Sequence, residues 1–225
     1  MGIEIIILFL TLAITIGAQI YINRWYSKTK KIANKRGISG AEVARLILDR
    51  NGLSNVRVEE TTGMLSDHYD PRTKVVRLSP DIYSNPSLAS VSVASHECGH
   101  AIQDKEGYVF LRLRNKIVPL VNFASYAGYI AIIIGIFAQA LNFIWIGIVL
   151  ELVILFFQLI TLPVEFNASS RALKQLNELN LLEKKEMRLS KKMLTAAAMT
   201  YVAAVATAIL EILRLVLIFT RMNDD

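Results

Sequence analysis

The chain has 225 residues, 53% of them hydrophobic, and a mean hydropathy of +0.41. This composition indicates membrane spans rather than a wholly soluble protein. The net charge of +6 is not accompanied by a nucleic-acid motif, so we expect the basic residues to set membrane topology and expect no nucleic-acid partner.

Four stretches are apolar over the roughly 20 helical residues that cross a hydrocarbon core of about 30 Å. They are residues 3–22, 118–141, 143–162 and 194–219, with a tight turn predicted at residues 140–143. The first stretch is expected to be an uncleaved anchor, because its basic residues follow the apolar run. All basic clusters then fall on one side, which places residues 23–117 and 163–193 in the cytoplasm. We expect one multi-pass cell-membrane domain over residues 1–225.

The segment after the anchor is predicted to begin with an amphipathic helix. Ser39 and Glu42 stand at the spacing of a capping box, and Gly52 suits a left-handed C-terminal position. The side chains expected to be buried on this helix are Val43, Leu46 and Ile47.

Two short strands are predicted next, at residues 56–59 and 74–78. Between them, the composition of residues 67–72 favours a turn. This turn has two interpretations: it is a solvated hairpin turn, or it faces substrate and supplies His68 or Tyr69 to stabilise an oxyanion.

A pair of histidines lies in the following predicted helix, which Ser87 can cap. His96 and His100 are four residues apart and therefore project from one helix face. Two neutral imidazoles in this arrangement can bind one Zn²⁺, with Glu97 beside them to transfer a proton. Gly99 keeps the helix thin between the histidines. The alternative is that this His-Glu-x-x-His pattern is an accident on an amphipathic helix.

Cys98 is expected to be a small buried thiol. It lies about 200° around the helix from His96 and therefore cannot join the same metal. As the one cysteine of the chain, it forms no internal disulfide.

A catalytic zinc normally has three protein ligands and one position open to water. The best candidate for the third ligand is Glu165, which lies just past the third span on the same predicted side as His96. Pro163 can start a new helix or a kink there. His68 as a direct ligand is the less favoured alternative.

The membrane stretches carry charged residues that need partners. Glu211 and Arg214 are three apart and can pair on one helix face, whereas Glu151 should face the bundle or be protonated. We interpret these groups as contacts between helices, although they also leave a transporter as a weak third hypothesis. Residues 173–194 are predicted to form one amphipathic helix at the membrane surface.

Four motifs of the chain resemble those of one family. They are Asp-His-Tyr-Asp-Pro at residues 67–71, His-Glu-Cys-Gly-His-Ala-Ile-Gln at 96–103, Leu-Pro-Val-Glu-Phe-Asn-Ala-Ser at 162–169 and Ala-Ala-Ala-Met-Thr-Tyr-Val-Ala-Ala at 196–204. This set spans nearly the whole chain and resembles the YugP-type neutral zinc metallopeptidases, which are small multi-pass bacterial membrane peptidases.

The chain is also distantly similar to membrane gluzincin peptidases. That likeness implies that His96, His100 and Glu165 are zinc ligands and that Glu97 is the general base. The sequence departs from the distant relatives at Ser169, where they have an aspartate. The group that orients the zinc histidines is therefore open, and Asp67 or Asp70 is a candidate.

We accordingly predict a mainly α, polytopic membrane bundle with a small α+β zincin-like cytoplasmic portion. Its predicted activity is zinc-dependent peptide hydrolysis, as an endopeptidase with a cytoplasmic active site. Glu97 is the predicted catalytic base, and His68 is the less certain catalytic candidate. The rival hypothesis is an inactive membrane scaffold or regulatory protein with a structural zinc site, which a fourth protein ligand would close.

Overall fold

The computed structural model describes residues 2–63 and 65–224, and within these ranges the chain forms seven α-helices and three β-strands. The helices are α1 Ile3–Lys30, α2 Gly40–Arg50, α3 Pro80–Ser84, α4 Leu88–Lys105, α5 Val109–Phe137, α6 Leu141–Glu178 and α7 Lys184–Asp224. The strands are β1 Arg57–Glu60, β2 His68–Asp70 and β3 Val75–Leu78. The predicted helical fold with a small sheet is therefore confirmed.

Four of the helices in the described ranges, α1, α5, α6 and α7, are long and apolar enough to cross a membrane. The predicted number of apolar helices, four, is therefore confirmed. The 38 residues of α6 extend for about 57 Å at 1.5 Å per residue, nearly twice a hydrocarbon core. One helix can therefore cross the membrane and still carry functional side chains beyond it.

The connection between α5 and α6 is shifted from its predicted place. The predicted turn at residues 140–143 is wrong, because α5 ends at Phe137 and α6 already begins at Leu141. Gln139 turns the chain with a φ of 50°, in the left-handed region that non-glycine residues adopt uncommonly.

Two predictions about the α6–α7 region need correction. Of the two alternatives for Pro163, the start of a new helix is wrong, since Pro163 lies inside α6, and a kink at this residue stays a prediction. The predicted surface helix at residues 173–194 is divided between the end of α6 and the start of α7. Asn180 makes the turn between them with a φ of 51°, a conformation that asparagine tolerates better than most residues.

The chain forms two compact units. The described residues of the first are 2–19, 112–163 and 199–224, and its buried cluster consists of Ile144, Ile148 and Leu215. Arg214 Nε donates to Glu211 Oε2 at 2.9 Å, so the predicted pairing of these two charges is confirmed.

The second unit comprises residues 20–111 and 164–198, and its core lies where α2 packs on α4. The predicted capping box is present: the Glu42 N–H donates to Ser39 Oγ and the Ser39 N–H to Glu42 Oε2. Val43 and Ile47 are buried as predicted, but Leu46 is 44% exposed. The prediction of a buried Leu46 is wrong because the helix packs instead through Ala44 and Leu48.

The strands of the described residues form one mixed sheet in the order β1-β3-β2. β1 pairs parallel with β3, and β2 pairs antiparallel with it, with Tyr69 opposite Val76. The assignment of residues 68–70 to a turn is wrong, because pairing with the buried central strand extends them. The bend follows at once, where Asp70 accepts a hydrogen bond from the Arg72 N–H at 2.9 Å.

Candidate metal centre

Helix α4 presents both predicted zinc histidines from consecutive turns. Ser87 caps the helix by accepting a hydrogen bond from the Ser90 N–H at 3.0 Å, as predicted. The imidazole rings of His96 and His100 meet edge to face, with 4.7 Å between ring centres. Their side chains are only 16% and 10% exposed. Local helix geometry thus places two nitrogen donors at one partly shielded point.

Helix α6 brings the Glu165 carboxylate to the same point. Its Oε2 lies 3.2 Å from His96 Nε2 and 3.7 Å from His100 Nε2. Possible ligand atoms of these three residues all lie within 4.8 Å of one another, so the group could hold a metal ion. In a tetrahedral zinc site with bonds of about 2.0–2.1 Å, neighbouring ligand atoms lie roughly 3.3–3.4 Å apart. The two distances to the Glu165 carboxylate are close to this value, so this set of donor atoms is compatible with zinc.

The hydrogen bonds of Gln103 show which atom of His100 is available to a metal. The Gln103 amide nitrogen donates to the Val164 carbonyl at 2.8 Å and to Asn167 Oδ1 at 2.9 Å. Its oxygen therefore faces His100 Nδ1, 3.0 Å away, and accepts the Nδ1 proton. In a neutral ring this leaves a lone pair on Nε2 directed toward Glu165. Two lone pairs facing each other repel unless a proton or a cation lies between them.

Ser169 supports the other ring, with its Oγ 3.1 Å from His96 Nδ1. The expectation that Asp67 or Asp70 orients the zinc histidines is wrong. Asp67 accepts hydrogen bonds from the Ser79 N–H and hydroxyl at 2.7 and 3.0 Å, and Asp70 caps the turn after β2. Ser169 is the residue at which the sequence departs from the gluzincin pattern. In the structure its side chain contacts the His96 ring directly.

Gly99 allows α4 and α6 to approach closely, as its place between the histidines predicted. A Cβ at this position would lie 2.5 Å from the carbonyl oxygen of Ala168, a distance that real Cβ atoms essentially never show. Ala168 is one residue before Ser169 and three after Glu165 on α6. The absence of a side chain at Gly99 therefore sets the distance between the histidines and the carboxylate.

We expect Gly99→Ala to lower the melting temperature and weaken zinc binding together. Overpacking of this kind typically costs about 1–3 kcal/mol, and the relief of the clash would move α6 away from the histidines. Thermal unfolding and zinc titration of the purified variant measure the two effects. Gly17→Ala is the matched control, since a Cβ there meets nothing within 4 Å. Unchanged stability and zinc affinity in Gly99→Ala would contradict this account of the helix contact.

Glu97 lies beside the histidines with only 7% of its surface exposed. Burial raises its pKa to about 7, and the nearby charges of Glu165 and Asp67 act in the same direction. The charge of His96 and a hydrogen bond from the Tyr69 N–H oppose the rise. A carboxyl group with a pKa near neutrality can both accept and release a proton under physiological conditions.

Cys98 is fully buried with its thiol directed at the Ala44 carbonyl, 3.6 Å away. Burial raises the pKa of this thiol. The thiol therefore lies in the α2–α4 core, and the prediction of a small buried thiol is confirmed.

His68 is exposed on the edge strand β2, outside the group that could hold a metal. Its Nδ1 lies 2.7 Å from the Ser66 carbonyl oxygen, and its Nε2 lies 3.5 Å from Arg77 Nη1. Its predicted contact with substrate stays a prediction.

Sequence reasoning missed that Gln103 contacts His100 and that Ser169 contacts His96, although the spacing of both residues is visible in the sequence. Gln103 follows His100 by three residues, and Ser169 follows Glu165 by four, so each lies on the same helix face as a candidate ligand.

Comparison with known proteins decides the family. The family described as "Putative neutral zinc metallopeptidase" matches residues 4–220. The chain belongs to this family. It is also similar to "Putative membrane protease YugP" of Bacillus subtilis (strain 168), with 46% identity over 221 residues, which cover 97% of this chain and 98% of that protein. No solved structure matches the chain. The chain is therefore a member of a zinc metallopeptidase family and has four helices, among its described residues, that are long and apolar enough to cross a membrane.

Proposed function

We propose that this zinc metallopeptidase family member is a membrane-embedded endopeptidase with its active site on the cytoplasmic side. The proposal rests on one observation: the side chains of His96, His100 and Glu165 lie together beside the buried carboxyl group of Glu97. A His₂Glu set is typical of catalytic zinc sites, where the fourth position is left to water. A structural site would usually be closed by a fourth protein ligand, whereas the cluster found among residues 2–63 and 65–224 has three members.

Zinc held by His96, His100 and Glu165 would supply Lewis-acid polarisation of the scissile carbonyl and activation of the attacking water. Glu97 accepts the proton of that water and later delivers it to the leaving amine. Its burial suits this role, because a base with a pKa near the working pH exchanges protons with least cost. Glu97 is therefore proposed to act in both proton transfers.

Gln103 and Ser169 are proposed to act through the histidines rather than on substrate. Each occupies the Nδ1 side of one ring, so that Nε2 faces the candidate metal position. Gln103 is in turn fixed by Asn167, whose oxygen also accepts a hydrogen bond from Arg171 Nε at 2.7 Å. Such fixed partners hold the ring orientation that metal binding requires.

An extended substrate is proposed to pair with the edge of the sheet at β2. This strand contacts α4, the helix that carries Glu97, so it lies beside the proposed base. Backbone pairing would recognise an extended chain with little sequence preference. The exposed His68 begins the same strand and is proposed to contact the substrate there.

Zinc removal tests the proposed activity directly. We expect the purified full-length protein to cleave casein or a peptide, to lose cleavage when a chelator removes its zinc, and to regain it when zinc is added back. Metal content measured on the same samples should follow activity. Zinc binding without any cleavage would favour the scaffold hypothesis, and cleavage that persists after zinc is removed would contradict a zinc peptidase.

The sidedness of the active site is tested by cysteine labelling in intact cells. In a Cys98→Ser background, an impermeant thiol reagent is expected to label Asn142→Cys but not Lys184→Cys, because the basic clusters favour the cytoplasm. Permeabilised cells provide the control, since both positions should then be labelled. Labelling at position 184 in intact cells would place the proposed active site outside.

A further inference from the structure

A groove distinct from the metal centre lies between α1 and α7 in the second unit. Its volume is about 450 Å³, and it is lined by Tyr21, Lys185, Arg188, Leu189, Lys191, Lys192 and Thr195. The two helices touch beside it, where Thr29 Oγ1 lies 2.9 Å from Met193 Sδ. The groove is thus a feature of packed helices rather than of one exposed surface.

The charge of the groove has a single sign. Lys185, Arg188 and Lys192 are spaced by three and four residues and share one face of α7, and none of the described residues that line the groove is acidic. Glu186, the acidic residue of this part of α7, is buried and accepts hydrogen bonds from the N–H groups of Lys35 and Glu183 at 2.9 and 2.8 Å. Four cations therefore converge without a carboxylate among them, an arrangement that favours a bound anion.

The position of the groove along both helices points to the membrane–water interface. Tyr21 is the second-last residue of the first apolar stretch, and Thr195 is the second residue of the last one. Just beyond Tyr21, the Trp25 ring has Lys28 Nζ at 5.1 Å and Lys192 Nζ at 5.4 Å from its centre. Tryptophan and tyrosine are enriched at this level of a membrane, where lysine and arginine meet lipid phosphates.

We propose that this groove binds the headgroup of an anionic phospholipid. Lys185, Arg188 and Lys192 would contact the phosphate. Leu189 and Tyr21 form an apolar wall of the groove, along which the lipid's acyl chain can extend into the membrane. Basic pockets between transmembrane helices are a known way to hold such headgroups. The groove stands apart from the proposed peptidase chemistry, so this proposal does not depend on it.

Native mass spectrometry of the full-length protein in neutral detergent tests the proposal. If each of the three basic side chains contributes about fivefold in affinity for an anionic headgroup, phosphatidylglycerol should bind about 100-fold more tightly than phosphatidylcholine with the same acyl chains. Millimolar inorganic phosphate should not displace it. The triple variant Lys185→Gln, Arg188→Gln, Lys192→Gln should then bind phosphatidylglycerol about 100-fold more weakly.

The matched control removes the same charge outside the groove, through Arg112→Gln, Lys116→Gln and Lys174→Gln, and should keep the lipid preference. Thermal unfolding in neutral detergent checks that each variant is folded. The single variant Arg188→Gln, with an expected loss of about fivefold, gives a second test if the triple variant does not fold. Equal retention of both lipids, equal losses in the two triple variants, or displacement by inorganic phosphate would each overturn the proposal.

Discussion

Replacement of Glu97 by glutamine is expected to lower peptide cleavage by about 10²–10⁴-fold while the zinc content stays unchanged. The amide has the size of the carboxyl group and can still accept the hydrogen bond from the Tyr69 N–H. It cannot take a proton from water, so the rate of peptide hydrolysis should fall while zinc binding is unaffected. The measurement is kcat/KM on a peptide substrate together with zinc content of the same preparation.

The matched control is Glu178→Gln, the same substitution at the exposed end of α6, which should cleave normally. Thermal unfolding distinguishes a loss of catalysis from a loss of folded protein. A buried neutral amide at position 97 should not destabilise the core, so the melting temperature of Glu97→Gln should stay unchanged. Cleavage by Glu97→Gln at the rate of the unchanged protein would remove Glu97 from the mechanism.

The features of the site that could be predicted from the sequence are those that depend on the geometry of a single helix. The spacing of His96 and His100 and the cap at Ser87 depend only on local geometry. Gly99 was predictable for a related reason, since a residue without a side chain between two metal-binding positions indicates a close neighbour. The sequence did not reveal that this neighbour is the Ala168 carbonyl of α6.

The parts that sequence reasoning missed depend on contacts between elements. β2 becomes a strand because it pairs with the buried strand β3, and tertiary pairing overrides the turn signals of its residues. The spacing of Ser169 from Glu165 places both on one face of α6, but it does not show that Ser169 meets His96 Nδ1 on another helix. The serine hydroxyl at position 169 reaches the Nδ1 side of the His96 ring at 3.1 Å.

Pro163 shows a different limit of sequence reasoning. In soluble helices a proline removes one hydrogen bond and usually ends or kinks the helix, so the sequence left a helix start and a kink open at this point. α6 nevertheless continues past it to Glu178, as membrane helices tolerate proline when neighbouring groups satisfy the freed carbonyl. Glu165 and Ser169 therefore lie on the same helix as the preceding apolar stretch.

Glu165, rather than His68, is expected to complete the zinc site. Glu165→Ala should lose zinc together with activity, because two histidines alone hold zinc weakly. The loss of affinity should be at least about 100-fold, since even the removal of a group that only supports a zinc ligand costs roughly 10–100-fold. His68→Ala should keep its zinc and lose mainly turnover, because His68 is exposed on β2 and bonds to the Ser66 carbonyl.

Zinc content of the two purified variants, measured beside kcat and KM, decides between these roles. The two variants serve as controls for each other, since each removes one candidate ligand and leaves the α4 histidines in place. The buried Glu165 carboxylate lies 3.2 Å from His96 Nε2, which is the reason to expect the metal loss there. Full zinc in Glu165→Ala with none in His68→Ala would reverse the assignment and make the edge strand, instead of α6, the source of the third ligand.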